Sequence, residues 1–159
     1  MKFGRILAAV AVAGSALLAA PAANADPLVA QQQWKIESLT RSSDVWDQSN
    51  WAWDPDFPVI AHESHGGANQ KWYISNDGTI KSVEHGWCVT AIDGKLAGRP
   101  CGDFDNQKWK GVDHDGYHNW QFKLEGSNRC VTHNGEFKEL ILTECEDRRQ
   151  DQRWIISKA

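Results

Sequence analysis

Apolar positions fall along this chain in two different ways. From Ile6 to Ala20 apolar and small residues form one unbroken run with no polar face, preceded by Lys2 and Arg5 and followed by the small-x-small triplet Ala23-Asn24-Ala25. Beyond that point they occur as short stretches, such as those around Trp34 to Ile36, Lys71 to Ile74, Trp87 to Ile92, Trp120 to Leu124 and Trp154 to Ile156, separated by Gly, Asn and Asp. Such punctuation predicts strands and turns. Asn76-Asp77-Gly78, Ile92-Asp93-Gly94 and His133-Asn134-Gly135 supply the residues that hairpin turns require. No later segment sustains a 3.6-residue period, so the expected class is all-β.

The leading run reads as a signal peptide. It has a positive start, an apolar stretch too short for a permanent membrane span, and a cleavage site expected after Ala25. The expected division is therefore a signal peptide at 1–25 and a single domain at 26–159, secreted, with no later segment able to cross a bilayer. Without Lys2 and Arg5 the domain keeps 15 basic against 21 acidic side chains, a formal charge of −6. No basic cluster stands out from that acidic background, which argues against nucleic acid as a partner.

A repeat organises the domain. Gln70-Lys71-Trp72, Gln107-Lys108-Trp109 and Gln152-Arg153-Trp154 share the pattern Q-x-W, each preceded by Asn or Asp, namely Asn69, Asn106 and Asp151. Three units fill the chain. All four cysteines lie beyond the leader, and an even number in an oxidising compartment reads as disulfides. Their spacing lacks the C-x-x-C knuckle that usually presents thiolates to zinc. Cys88-Val89-Thr90 opens a segment that Cys101 closes ahead of Gln107, and Cys130-Val131-Thr132 opens another that Cys145 closes ahead of Gln152. The internal symmetry thus pairs Cys88 with Cys101 and Cys130 with Cys145.

These motifs resemble the ricin B-type lectins, whose repeats follow a pattern like C-L-D-x, an aromatic two residues before a second Cys, and N-Q-x-W. The resemblance spans nearly the whole domain. It implies a β-trefoil, three four-stranded units around a pseudo-threefold axis, with the Q-x-W tryptophans Trp72, Trp109 and Trp154 turned to the core. It also implies carbohydrate binding without catalysis. Sugar-binding members use an Asp near the first cysteine as a hydroxyl acceptor, an aromatic or His against the sugar ring, and the Asn of N-Q-x-W. A carboxylate accepts charge-assisted bonds from hydroxyls while a ring covers the sugar's C–H face.

Measured against that pattern, the second unit has Thr90 for the Asp and Arg99 at the aromatic place. The third has Thr132, Thr143 and Asp151 at the three positions. In the first unit Ser42-Ser43-Asp44-Val45 resembles C-L-D-V with Ser for Cys, and His62-Glu63-Ser64 resembles aromatic-x-Cys with the same exchange. The expected sugar site is therefore Asp44, His62, Asn69 and Gln70. An insertion between Asp44 and His62 brings Trp46, Trp51, Trp53 and Phe57, which either extend the sugar platform or pack over the first unit in place of the missing bridge. No cofactor is expected, and His62-x-x-His65 is too weak a pattern to name a metal pair. The alternative to a lectin is a trefoil that has lost sugar binding and serves a protein partner. A glycosidase needs two carboxylates placed across one bond, and nothing singles out such a pair.

Overall fold

The computed structural model describes residues 31–49, 56–115 and 119–159. The expected leader and its cleavage site lie outside the described residues, as do Trp51 and Trp53. Among the described residues there are twelve strands: β1 (Trp34–Ser38), β2 (Asp44–Gln48), β3 (Val59–Glu63), β4 (Trp72–Ile74), β5 (Ile80–Ser82), β6 (Cys88–Ile92), β7 (Lys95–Arg99), β8 (Trp109–Asp113), β9 (Trp120–Leu124), β10 (Arg129–Thr132), β11 (Ile141–Glu144) and β12 (Trp154–Lys158). A single 3₁₀ turn precedes the last strand of each unit: Ala68–Gln70, Asp105–Gln107 and Gln150–Gln152. All of these turns end on the glutamine of Q-x-W.

The outer strands of the three units form a barrel. β1 pairs antiparallel with β12 from Trp34↔Lys158 to Ser38↔Trp154, β4 with β5, β8 with β9, and single pairs join β1 to β4 and β9 to β12. The Trp109 amide donates to the Gly78 carbonyl at 2.8 Å and ties β8 to the turn ahead of β5. The inner strands form three hairpins, β2–β3, β6–β7 and β10–β11, each touching the other two through Pro58↔Ala97, Ile60↔Glu139 and Ile141↔Lys95. A barrel capped by three converging hairpins is a β-trefoil. Asp93 and Gly94 turn β6 into β7 with φ of 49° and 78°, the paired positive values that a tight two-residue hairpin demands.

Tryptophan fills the core. Trp72, Trp109 and Trp154 are buried, and each indole N–H donates to a backbone carbonyl: Trp46 at 3.1 Å, Val89 at 2.9 Å and Val131 at 3.2 Å, respectively. Large apolar area and a satisfied donor are thus combined at each position. Trp46 is also fully buried, with its ring 6.2 Å from Trp72, 5.4 Å from Trp154 and 5.1 Å from Phe122. It occupies the place held by Val89 and Val131 in the other units, so the first unit fills the centre of the cap with an indole. Burying one such ring contributes roughly 4–6 kcal/mol before entropy is counted.

Disulfides join Cys88 to Cys101 and Cys130 to Cys145, as the repeat symmetry predicts, with Cα atoms 5.0 Å apart in each. Each closes the open end of a cap hairpin. A loop of this length contributes about 3 kcal/mol in the chain-entropy account. Among the described residues no helix is long and apolar enough to cross a membrane.

Candidate functional site

The three Q-x-W glutamines hold one hydrogen-bond frame, repeated in each unit. Their Oε1 atoms accept backbone amides from His65 at 2.8 Å, Gly102 at 2.9 Å and Glu146 at 2.9 Å. Their Nε2 groups donate to the carbonyls of Glu63, Pro100 and Glu144. The remaining N–H reaches a side chain on the first strand of the cap hairpin: Oδ2 of Asp47 at 2.9 Å, Oγ1 of Thr90 at 3.0 Å and Oγ1 of Thr132 at 3.3 Å. Together with the tryptophan bonds to Trp46, Val89 and Val131, this frame superposes Val45-Trp46-Asp47 on Cys88-Val89-Thr90 and Cys130-Val131-Thr132.

That register moves the acceptor of the first unit from Asp44 to Asp47, three residues on. Asp44 is fully buried at the start of β2 and faces elsewhere, where its carboxylate accepts from Nε2 of His133 at 2.8 Å, Nε of Arg41 at 3.1 Å and Oγ of Ser43 at 3.2 Å. It is a clasp between the first and third units, and these bonds go to neither Asn69 nor Gln70. The two serines of Ser42-Ser43-Asp44 mimic a lost cysteine, but the residue at the cysteine position is Val45, which faces His62 across the hairpin as Cys88 faces Arg99 and Cys130 faces Thr143. Ser64 does stand at the second cysteine position. Its amide donates to the Ser43 carbonyl as the Cys145 amide does to Asn128.

Around Asp47 the other expected residues come together. Asn69 Nδ2 donates to Oδ1 of Asp47 at 2.9 Å, and Nε2 of His65 lies 3.2 Å from Oδ2, beside the Gln70 bond. Asp47 is 2% exposed. A carboxylate offers about four acceptor positions, and these three donors leave one open on Oδ1. His65 is half-exposed. His62 stands beside this group, with Nδ1 2.9 Å from the Glu63 carbonyl and its ring edge-on to Phe137 at 4.8 Å and to His65 at 5.5 Å.

Phe137 is a member that the sequence pattern does not announce. It comes from the third unit, on the β10–β11 connection, and is 55% exposed. Its amide donates to the Ala61 carbonyl at 2.7 Å, and its φ of 59° turns the ring toward His62. Trp46, expected as a possible platform residue, cannot serve as one because it is in the core. Phe57 packs edge-on to Trp87 at 4.5 Å, away from His62. Asp47, His62 and His65 each bring one ligating atom to within 4.8 Å of the other two.

The equivalent places in the other units are built differently. Arg99 pairs with Asp56 at 2.8 Å and Asn106 Nδ2 donates to the Ala91 carbonyl, beside a cleft of about 440 Å³ lined by Thr90, Arg99, Phe104 and Gln107. In the third unit Thr132 and Thr143 bond each other at 2.7 Å, and Arg149 holds Asp151 at 2.6 Å. That bond raises the Arg149 guanidinium above its ordinary range. A larger, mostly apolar cavity of about 570 Å³ lies at the barrel between Trp34, Trp109, Trp120, Phe122 and Ile156, and shares no residue with the Asp47 group.

A barrel capped by three hairpins on a repeated Gln-x-Trp frame defines a lectin-type trefoil. Residues 32–154 match the ricin-type β-trefoil lectin domain, and the chain belongs to that family. Solved structures agree on the fold. The Macrolepiota procera ricin B-like lectin in complex with lactose aligns at TM-score 0.67 and 20% identity, over 81% of this chain and 96% of that one. The earthworm R-type lectin C-half in complex with GalNAc aligns at 0.65 and 16%, over 80% and 99%. An exo-β-1,3-galactanase from Clostridium thermocellum aligns at 0.70 and 17% over 80% of this chain but 30% of its own. Identities this low establish the fold alone. Among curated proteins none matches the chain.

Proposed function

We propose that this protein is a secreted carbohydrate-binding module that recognises a neutral sugar or polysaccharide without turnover, through a single cleft on the first unit. Asp47 is the hydroxyl acceptor, Asn69 and Gln70 orient it, and His62 with Phe137 covers the C–H face of the ring. The observation that carries this reading is the Asp47–Asn69–Gln70 network, because the second and third units place a threonine hydroxyl where Asp47 stands. A buried carboxylate with an acceptor position to spare bonds hydroxyls more strongly than a neutral hydroxyl can. The lactose and GalNAc complexes among the structural relatives support the ligand class. Removal of the leader after Ala25 and export belong to the same proposal.

The test is binding to a broad panel of immobilised glycans and polysaccharides, with Asp47→Asn and His62→Ala beside the unaltered protein and all three checked for equal folding. Binding lost in Asp47→Asn supports the site, and binding retained in both variants removes it. Release of sugar from a bound polysaccharide would overturn the absence of turnover.

A second reading, a trefoil that docks on a protein partner, is favoured by one observation: Phe104 and Phe137 are both more than half exposed. It predicts that no glycan on the panel binds and that Phe104→Ser and Phe137→Ser weaken capture of a protein partner.

A further inference from the structure

Among the described residues, no lysine or arginine pairs with the buried carboxylate of Asp47. Asp44, its neighbour on β2, is met by Arg41, but the only ion-pair contact recorded for Asp47 among the described residues is His65, and its other two donors are the neutral amides of Asn69 and Gln70. Taking a carboxylate out of water without a cation is costly, and the cost is relieved by a counterion that reaches it. Two imidazoles stand where such an ion would sit.

We infer that Asp47, His62 and His65 form a site for a divalent transition-metal ion of the zinc class. The ligand set, two imidazoles and one carboxylate, is one that zinc accepts, and three protein ligands leave a fourth position for water or a ligand oxygen. His65 Nε2 and Asp47 Oδ2 are 3.2 Å apart, close to the edge of about 3.3 Å that a tetrahedron with bonds of about 2.0 Å requires. The pair is already spaced for the metal. One ligand atom from each of the three residues lies within 4.8 Å of the other two, and the two imidazoles are on side chains that reach solvent.

The protons also balance. His62 holds its Nδ1 proton against the Glu63 carbonyl, which leaves the Nε2 lone pair for the metal and fixes the ring as an outer-shell partner would. His65 accepts the Gly67 amide at Nδ1, at 3.2 Å, and so carries its proton on Nε2 toward Asp47. Zinc takes the place of that proton, which moves to Nδ1, and the Gly67 amide exchanges its bond for one to solvent. The loss is a long bond at an exposed position. With zinc bound, His62 is drawn toward Asp47 and away from Phe137. This last consequence rests on the carbohydrate reading and predicts that zinc weakens glycan binding; the metal site itself does not depend on it.

The experiment is calorimetric titration of the chelator-stripped protein with Zn²⁺, alongside His62→Ala, His65→Ala and, as a control, His85→Ala, with Co²⁺ absorption to report coordination. The expected result is one saturable site with a tetrahedral Co²⁺ spectrum, at least about tenfold weaker in either of the first two variants and unchanged in the control, since even outer-shell losses cost about 10–100-fold. No saturable binding, or binding undiminished in both His62→Ala and His65→Ala, overturns the inference. Near-ultraviolet circular dichroism of the core tryptophans confirms that the variants are folded. Glycan binding is measured in parallel with zinc and with chelator. Zinc binding with no glycan bound would sink the carbohydrate reading and leave the metal site standing, and glycan binding with no zinc bound would do the reverse. Glycan affinity that does not change with zinc would overturn the coupling between them.

Discussion

Nε2 of His133 lies 2.8 Å from Oδ2 of Asp44, and the two side chains join units that are otherwise far apart in sequence. Asp44 is fully buried, His133 is nearly so, and Arg41 completes the clasp from the solvent side. Asp44→Ala leaves His133 without its partner, at a cost of about 1–3 kcal/mol. The expected outcome is a lower denaturation midpoint in urea with an unchanged slope. Glycan binding, measured well below the unfolding transition, stays intact, in contrast to Asp47→Asn.

The register that places Val45 opposite His62 predicts where a third disulfide fits. Val45→Cys with Ser64→Cys occupies the positions that Cys88 with Cys101 and Cys130 with Cys145 hold in the other units. Non-reducing mass spectrometry should show the new bridge, with a gain of up to about 3 kcal/mol. Ser42→Cys with Ser64→Cys should leave two free thiols. Bridging in the second pair and none in the first would show the register to be wrong.

Trp46 and Trp72 are neighbours in the core but differ in one bond. The Trp72 indole N–H donates to the Trp46 carbonyl, whereas the Trp46 N–H finds no acceptor among the described residues. Trp46→Phe therefore removes an unsatisfied donor along with some volume, and Trp72→Phe removes a made bond as well. Trp72→Phe should be the more destabilising by about 1 kcal/mol. Trp46→Ala should cost about 3–5 kcal/mol. Equal losses for the two Phe variants in equilibrium denaturation would contradict the assignment.

Phe137→Ala tests whether the third unit lends a ring to the first unit's cleft. Losing one aromatic contact should weaken glycan binding by about 0.5–1.5 kcal/mol. Stability should change little, because the ring is more than half exposed. Affinity equal to that of the unaltered protein, by titration with the best glycan from the panel, would exclude Phe137 from the platform.

Asp77 gives a pH-dependent signal at the β4–β5 turn. The Thr79 hydroxyl and amide donate to its carboxylate at 2.7 and 2.9 Å and hold it below the usual carboxylate range, the hydroxyl bond being the larger influence. A lowered folded value means that the contribution is present above the ordinary value and is lost as pH falls through the folded one. Thr79→Val should move the Asp77 titration upward in a carboxyl NMR experiment. An unmoved titration would remove the hydroxyl as the cause.

The trefoil was legible in the sequence because its frame is written in the same residues three times over. Gln70, Gln107 and Gln152 must bond an amide, a carbonyl and a side chain at once, and the tryptophans two residues on must reach one carbonyl each. Asn69 and Gln70 are fixed by the same frame, which sets them against Asp47. Asp47 was not legible, since its neighbour Val45 replaces a cysteine with an apolar residue, while Ser42 and Ser43 offer a closer chemical imitation. The bonds from Gln70 and Trp72, with the pairing of Val45 and His62, separate the two registers. A signal was nonetheless available: Val45-Trp46-Asp47 repeats the apolar-apolar-polar order of Cys88-Val89-Thr90. Phe137 was hidden for a different reason, as no pattern within one unit reports what a hairpin from another unit carries to its edge.

The pairing of β1 with β12 sets how this molecule must fold. Trp34 cannot pair with Lys158 until every strand between them has been made, so closing the β1–β12 seam spans all the other strands of the trefoil. Contacts of such long range make folding slow, on the order of milliseconds to seconds. During synthesis the units can assemble locally while the seam between the two ends stays open. A chain stopped short of Trp154 would keep both disulfide-bearing hairpins and still lack the strand that seals them.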